Sequence, residues 1–209
     1  MIRKKIVEDL KKAIARGTFN PGQRLIEAAL CRRYGVGRSI VREILRDLER
    51  DGFVKINPNA GAVIKELSQK DIEQIYDLMG TLEGLAMRVA IPMINDQEEK
   101  AIKRFIQKMD AAKSAYEFFQ HNFRFHVFMD SLSGNDRLIK FMENLRAQAH
   151  RISLRSFYNP GQVRASKHEH QKILEAIHEA NPLKAEKAIR DHYLQSKNRL
   201  IRHLNRSLL

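Results

Sequence analysis

Four polar side chains sit where a purely structural helix would carry carbon. Asn122 and His126 interrupt the run Phe118-Phe-Gln-His-Asn-Phe-Arg-Phe-His-Val-Phe-Met129. Their four-residue spacing puts both on one helix face, one turn apart. His170 and His192 lie in later stretches that also read as helices. Three imidazoles and an amide or carboxylate oxygen, drawn together from three helices, can hold Zn²⁺, Ni²⁺, Fe²⁺ or Mn²⁺ with positions left open for a ligand. Spacing alone does not make them converge. A chain with 8 histidines also places some at helical spacing as surface or hydrogen-bonded groups.

A second set of residues offers different chemistry. Arg38, Arg42, Arg46 and Arg50 recur every four residues between Gly35 and Gly52 and so share a face, while Ile40, Val41, Ile44, Leu45 and Leu48 fall at helical spacing on another side. Such a helix can dock on a small core and hold guanidinium groups out to phosphates, or it is an ordinary solvated surface helix. The neighbours favour the first reading. Glu27 to Tyr34 reads as a short helix ending at Gly35, and Gly35-Val36-Gly37 leads straight into the arginine helix, a helix-turn-helix spacing. Gly52-Phe-Val-Lys-Ile56 and Ala62-Val-Ile-Lys65 have strand composition, and the turn residues Asn57 to Gly61 between them complete a hairpin wing. Upstream, Ile6, Val7, Leu10 and Ile14 stripe a helix over residues 2–16, ended by Gly17.

Composition sets the outer bounds. The 209 residues suffice for one large or two modest domains, and 43% hydrophobic with 30% charged residues describes a folded globular chain. Residues 1–66 hold 15 Lys/Arg against 8 Asp/Glu, and residues 67–209 hold 23 against 17. The shorter segment is the more densely basic, which favours a polyanion partner there, although a basic surface alone also suits a membrane face. No apolar run approaches the length of a membrane span, and Met1-Ile-Arg-Lys-Lys lacks the apolar stretch of a signal peptide. Cys31 is the only cysteine, which excludes an intrachain disulfide and a thiolate metal cluster. A cytoplasmic location without membrane association is the expectation.

From Ser68 onward the punctuation is that of successive helices. Asn95-Asp-Gln-Glu98 and Ser114-Ala-Tyr-Glu117 each place glutamate three residues after a cap residue, and Pro92, Gly134, Pro160 with Gly161, and Pro182 act as breaks. Helices are expected over 68–91, 95–112, 115–132, 135–156, 161–180 and 183–206. The connection near Ser68 has no Gly/Pro-rich spacer, so the boundary is short, with Ser68 as cap. The fold class is mainly α: a winged helix-turn-helix over residues 1–66 followed by an all-helical bundle over residues 67–209.

The amino-terminal part resembles the DNA-binding domain of the GntR family of bacterial transcription regulators. The likeness rests on Gly17-Thr-Phe-Asn-Pro-Gly-Gln-Arg-Leu25, on Val36-x-Arg38-x-x-Val41-Arg42-Glu43, on Gly52-Phe-Val54 and on the wing glycine Gly61. It implies DNA contacts by Arg38, Ser39 and Arg42 and by the wing around Gly61. Arginines at a helix start can fork to guanine or to phosphate. Lys55 and Lys65 flank the wing as phosphate contacts or as solvated lysines. Gly37 stands where the family commonly has serine, and a basic contact near the start of the second helix falls on Ala28, leaving Arg24 or Arg32 to compensate.

The remainder is similar to the FCD effector domain of the FadR-like branch of that family. Asn122-Phe-Arg-Phe-His126 resembles its Asp-x-x-Phe-His signature, Ser133-Gly-Asn135 follows it, and His170 with His192 keeps the family's 22-residue interval. The resemblance implies metal ligation by Asn122, His126, His170 and His192, and a small-molecule effector, an organic acid, held through that metal. This chain has Asn122 where the family usually has aspartate, a neutral and weaker oxygen ligand. It also lacks the arginine that the family often places before the glutamate matching Glu83, so either an organic-acid effector uses another cation, Arg88, Arg146 or Arg155, or an organic acid is not the ligand.

The expectation is therefore a homodimeric regulator that binds a short inverted repeat of double-stranded DNA and whose bundle senses a carboxylate. A direct metal sensor is the nearest alternative. A metal-dependent hydrolase is a weaker one, because no Gly-x-Ser-x-Gly, P-loop or His-Glu-x-x-His occurs and no glutamate stands beside the candidate ligands as an obvious base. A constitutive DNA binder with a vestigial bundle is another.

Overall fold

An apolar stripe of Ile6, Val7, Leu10 and Ile14 forms the buried side of helix α1 (Ile2–Ala15) in the computed structural model, which describes residues 2–57, 61–157 and 160–206. The stripe joins a core completed by Val41, Ile44, Leu45 and Leu48 of α3 (Arg38–Arg50) and by Phe53, Val54, Ala62 and Ile64. Between α1 and α3 runs α2 (Glu27–Tyr34), closed by Gly35 in the left-handed region at φ 64°. That conformation costs a Cβ-bearing residue, so the glycine makes the tight turn between the two helices possible. Strands β2 (Val54–Asn57) and β3 (Gly61–Ile64) pair antiparallel, with Asn57 opposite Gly61. The wing's turn residues Pro58, Asn59 and Ala60 lie outside the described residues. A third strand, β1 (Arg24–Leu25), pairs with β3 to give the order β1-β3-β2. Two residues carry too little periodicity for that strand to be expected from sequence.

The second region is helical among its described residues. It comprises α4 (Gln69–Ala90), a 3-10 turn at Ile91–Met93, α5 (Asp96–Ala111), α6 (Ala115–Ser131), α7 (Asp136–Phe157), α8 (Pro160–His178) and α9 (Pro182–Arg206). All six expected helices form, with ends within two residues of expectation. Asn95 makes a full capping box with Glu98. Ser114 caps α6 through Glu117 N, but the Glu117 carboxylate accepts from Lys113 N at 2.9 Å, so the reciprocal bond falls one residue early. Contacts divide the chain into residues up to Ser68 with Ala147–Arg151, and Gln69–Arg146 with the residues from Ile152 onward.

Two features of the bundle bring its chemistry together. Gly80 lets α4 approach α9 so closely that a Cβ there would lie 2.9 Å from Tyr193 Cβ. The α8–α9 hairpin reverses through Ala180, at φ 50°, and Asn181, whose Oδ1 accepts from Lys184 N at 3.0 Å. Pro182 then opens α9, a position where its missing N–H is not needed.

Candidate functional site

His126 on α6, His170 on α8 and His192 on α9 converge. One ligand nitrogen from each lies within 4.8 Å of the others, and no ring is more than 4% exposed. The Nε2 atoms of His126 and His170 are 3.5 Å apart. His126 Nδ1 lies 2.6 Å from Glu83 Oε1, and His192 Nδ1 lies 2.8 Å from Glu169 Oε2. Each Nδ1–H therefore donates to a carboxylate and leaves the Nε2 lone pair free, which is the tautomer a metal-ligating histidine needs. Burial, then the neighbouring His192 and Arg146, hold His126 well below the usual imidazole range. Burial, then His192 and His126, do the same to His170. Both rings are neutral, the form that ligates.

Asn122 stands one turn before His126 on the buried side of α6, and its Oδ1 is buried without a hydrogen-bond partner among the described residues. Three converging imidazoles and an orphaned amide oxygen one helical turn from His126 make a donor set that suits a divalent transition metal. Sequence patterning placed these four residues on three helices, and the structure brings the three histidines into one cluster.

The carboxylates are where the sequence reading fails. It found no glutamate beside the candidate ligands, whereas Glu83 and Glu169 each hold one of them. Glu83 had a signal available: it interrupts the buried stripe Tyr76, Met79, Gly80, Gly84, Met87 of α4. Glu169 had only its adjacency to His170, and its partner is 23 residues away.

Behind the cluster, buried Arg146 donates through Nε to Asp130 at 2.9 Å, through Nη1 to Tyr193 OH at 2.7 Å and through Nη2 to Glu83. Tyr193 OH donates in turn to Glu83 Oε2 at 2.8 Å. Two carboxylates share this one guanidinium, and burial pushes Asp130 up to about 7 despite it. Arg146 is thus occupied by the protein's own groups. Arg88, another candidate for the effector's cation, pairs with Glu186 at 3.1 Å, and the Arg155 side chain lies outside the described residues. Arg199, which the sequence reading did not single out, holds Glu169 through two bonds of 2.6 and 2.9 Å. Burial acts to raise Glu169, but the bonds from His192 and Arg199 keep it below the usual carboxylate range.

In the other unit, Arg38, Ser39 and Arg42 are exposed in the first two turns of α3. Arg42 Nε lies 3.2 Å from both carboxylate oxygens of Glu27 on α2, an exposed pair that a phosphate or base can displace. Gly61 opens β3 at φ 76°, with the Arg24 guanidinium beside it. Arg24 therefore stands at the wing.

Residues 74–195 match the model of the FCD domain, and residues 2–64 match that of bacterial regulatory proteins, gntR family. An uncharacterised HTH-type transcriptional regulator of Bacillus subtilis, YdhC, is 29% identical over 203 residues, covering 95% of this chain and 89% of the relative. The HTH-type transcriptional repressor RspR of Escherichia coli is 22% identical over 206 residues, covering 97% and 90%. The solved structure of E. coli McbR/YncC shares the fold over 98% of this chain and 99% of that one, with a TM-score of 0.77 at 20% identity. No helix among the described residues is long and apolar enough to cross a membrane.

Proposed function

The chain belongs to the GntR family of bacterial transcription regulators, with an FCD effector-binding domain behind a winged helix-turn-helix, and from that premise we propose a metal-dependent sensor of a small carboxylate. In this reading Asn122, His126, His170 and His192 hold a divalent Zn, Ni, Fe or Mn ion in the bundle. The observation that carries it is the convergence of three imidazoles, two of them oriented by carboxylates, with an unpartnered amide oxygen one helical turn from His126.

When bound, such an ion supplies a Lewis-acidic centre for carboxylate oxygens. The protein's own residues set its character. Because Asn122 is neutral, no ligand in the set carries charge, so an anionic effector meets an undiminished dication; the same neutrality weakens metal affinity. Glu83 and Glu169 return negative charge one shell out and fix the rings they touch.

Residues 1–66 act as the DNA-binding domain, with Arg38, Ser39, Arg42 and the wing at Gly61 contacting DNA. Residues 67–209 bind the effector and hold a homodimer together. A single winged domain reads few base pairs, so selectivity comes from two of them on a short inverted repeat. The effector changes operator occupancy by binding one dimer arrangement better than the other, and about 1–3 kcal/mol of coupling is typical.

The test is elemental analysis of the full chain purified without chelator, alongside operator titrations with and without metal. Wild type is expected to carry stoichiometric divalent metal. His170→Ala and His192→Ala should lose it while retaining ligand-free DNA binding, and Asn122→Asp should hold metal more tightly. Full metal retention by both histidine variants would sink the assignment.

A further inference from the structure

Burial alternates along all three strands of the wing's sheet. Leu25, Val54, Ala62 and Ile64 turn into the core, and Arg24, Lys55, Gly61 and Val63 face the other way. Val63 pairs with Arg24 on one side and with Lys55 on the other, so the three form one rung across the order β1-β3-β2. The Arg24 side chain does not stay on that rung. A Cβ at Gly61 would lie 3.6 Å from Arg24 Nε and 3.7 Å from its Nη2. Gly61 stands two residues before Val63, so the guanidinium is carried about 7 Å along β3, towards the end where β2 and β3 join.

The charge at that position has no use inside the unit. Arg3, Arg33, Arg42 and Arg50 each lie 3.8 Å or less from a carboxylate oxygen, whereas Arg24 has no hydrogen bond or ion pair among the described residues. Covering Val63 would take only an aliphatic stem. The guanidinium instead ends beside a residue of β3 that carries no side chain.

We propose that Arg24 enters the DNA minor groove next to the wing and selects A·T pairs flanking the bases read by α3. This rests on the reading of residues 1–66 as the DNA-binding domain. A helix with its side chains is about 10–12 Å across and fills a major groove about 12 Å wide, so the hairpin of the same unit meets the neighbouring minor groove. Strands lie about 4.8 Å apart, which separates Arg24 from Lys55 by about 10 Å across the three-stranded sheet. A minor groove about 6 Å wide admits one of these cations and leaves the other at a flanking phosphate. Arg24 is the one that enters, because a planar guanidinium is more weakly hydrated than an ammonium and gives up its water at lower cost. Selection follows from donor and acceptor sense. Arginine only donates, A·T pairs show only acceptors on the minor-groove floor, and G·C pairs add the guanine amino donor. Narrow A·T tracts also concentrate negative potential there.

The experiment selects binding duplexes from a randomised library with full-length wild type, Arg24→Ala and Arg38→Ala. Wild type should enrich A·T pairs on both flanks of each half-site. Arg24→Ala should keep the core sequence and lose the flanks, and Arg38→Ala should do the reverse. Anisotropy titrations then use the duplex enriched by wild type, with and without 2,6-diaminopurine replacing the flanking adenines. That base adds a minor-groove amino group and leaves the major-groove edge as in A·T. The replacement should weaken wild type about 10-fold and Arg24→Ala hardly at all. Arg24→Lys, which keeps the charge, should retain the salt dependence and lose most of the A·T margin. Neither Arg24 variant should change the melting temperature, since the side chain is exposed and unpaired. If Arg24→Ala loses equal affinity for A·T-flanked and G·C-flanked duplexes it is a phosphate contact, and if it loses none it makes no contact. Either result overturns the proposal and leaves DNA binding by the winged unit in place. If wild type enriches no sequence and Arg38→Ala changes nothing, the DNA reading itself falls and takes Arg24 with it.

Discussion

The winged unit and the helical bundle bury different kinds of side chain. Among the described residues, every buried polar or charged residue lies between Glu83 and Ser196, and the core between Ile6 and Ile64 is apolar throughout. On the proposed function the winged unit works at its surface, through exposed arginines, so its interior is free to be optimised for stability alone. On the same reading the bundle works in its interior. Its buried histidines, shared guanidinium and unpaired Asn122 oxygen each forgo stability that an aliphatic core would supply, which is the pattern expected where binding and stability compete.

The largest test of that contrast pairs one substitution from each region. Arg146→Ala strips two buried carboxylates of their cation and should destabilise the bundle by about 3–5 kcal/mol. Leu48→Ala, at 0% exposure, should destabilise the winged unit by about 2–5 kcal/mol through cavity formation. The difference between them appears on rescue. Urea denaturation of Glu83→Gln, Asp130→Asn, Arg146→Met together should recover most of the loss, since an apolar or neutral replacement of a buried ion network is often close to neutral. A triple variant no more stable than Arg146→Ala would mean that the network contributes net stability and that the contrast is misdrawn.

Acid titration sharpens the same comparison at smaller amplitude. Asp130 has a folded value raised to about 7 above the ordinary 3.8. Its contribution is therefore fully present below pH 3.8 and is lost as pH rises towards 7, because the folded state holds the proton more tightly than the unfolded one. Asp130→Asn should flatten the stability profile across that window by up to about 1.4 kcal/mol per pH unit. Thermal denaturation from pH 4 to 7.5 reads the slope, and parallel profiles for variant and wild type would contradict the raised value.

At the surface the expectation reverses, with function changing and stability not. Arg38→Ala and Arg42→Ala should each weaken operator binding by about 1–3 kcal/mol and relax selectivity at particular base pairs. The unfolding free energy should stay within about 0.5 kcal/mol of wild type, as for other surface sites. Equal losses on operator and random DNA in a filter-binding assay would assign both arginines to phosphate contacts alone.

Much of this molecule follows from local pattern. The stripe Ile6, Val7, Leu10, Ile14 and the apolar set Val41, Ile44, Leu45, Leu48 are buried as helical periodicity requires. Gly35, Asn95, Ser114 and Pro182 mark helix ends through chemistry that acts over a few residues. Asn122 and His126 declare a shared face for the same reason. These are properties of 3.6-residue geometry and of capping, and a chain carries them whatever it later packs against.

What packing decided lies at longer range. Glu83 reaches His126 across 43 residues, Glu169 reaches His192 across 23, and Arg146 is claimed by Glu83 across 63. No local period relates such positions. Each becomes a partner only when α4, α6, α7, α8 and α9 come into contact, and there burial makes an unpaired charge so costly that the available carboxylates and guanidinium must find one another. The helices and the identity of the candidate ligands were therefore legible in the residues. The orientation of the rings, the occupation of Arg146 and the hold of Arg199 on Glu169 belong to the tertiary structure, because only desolvation in a shared interior sets them.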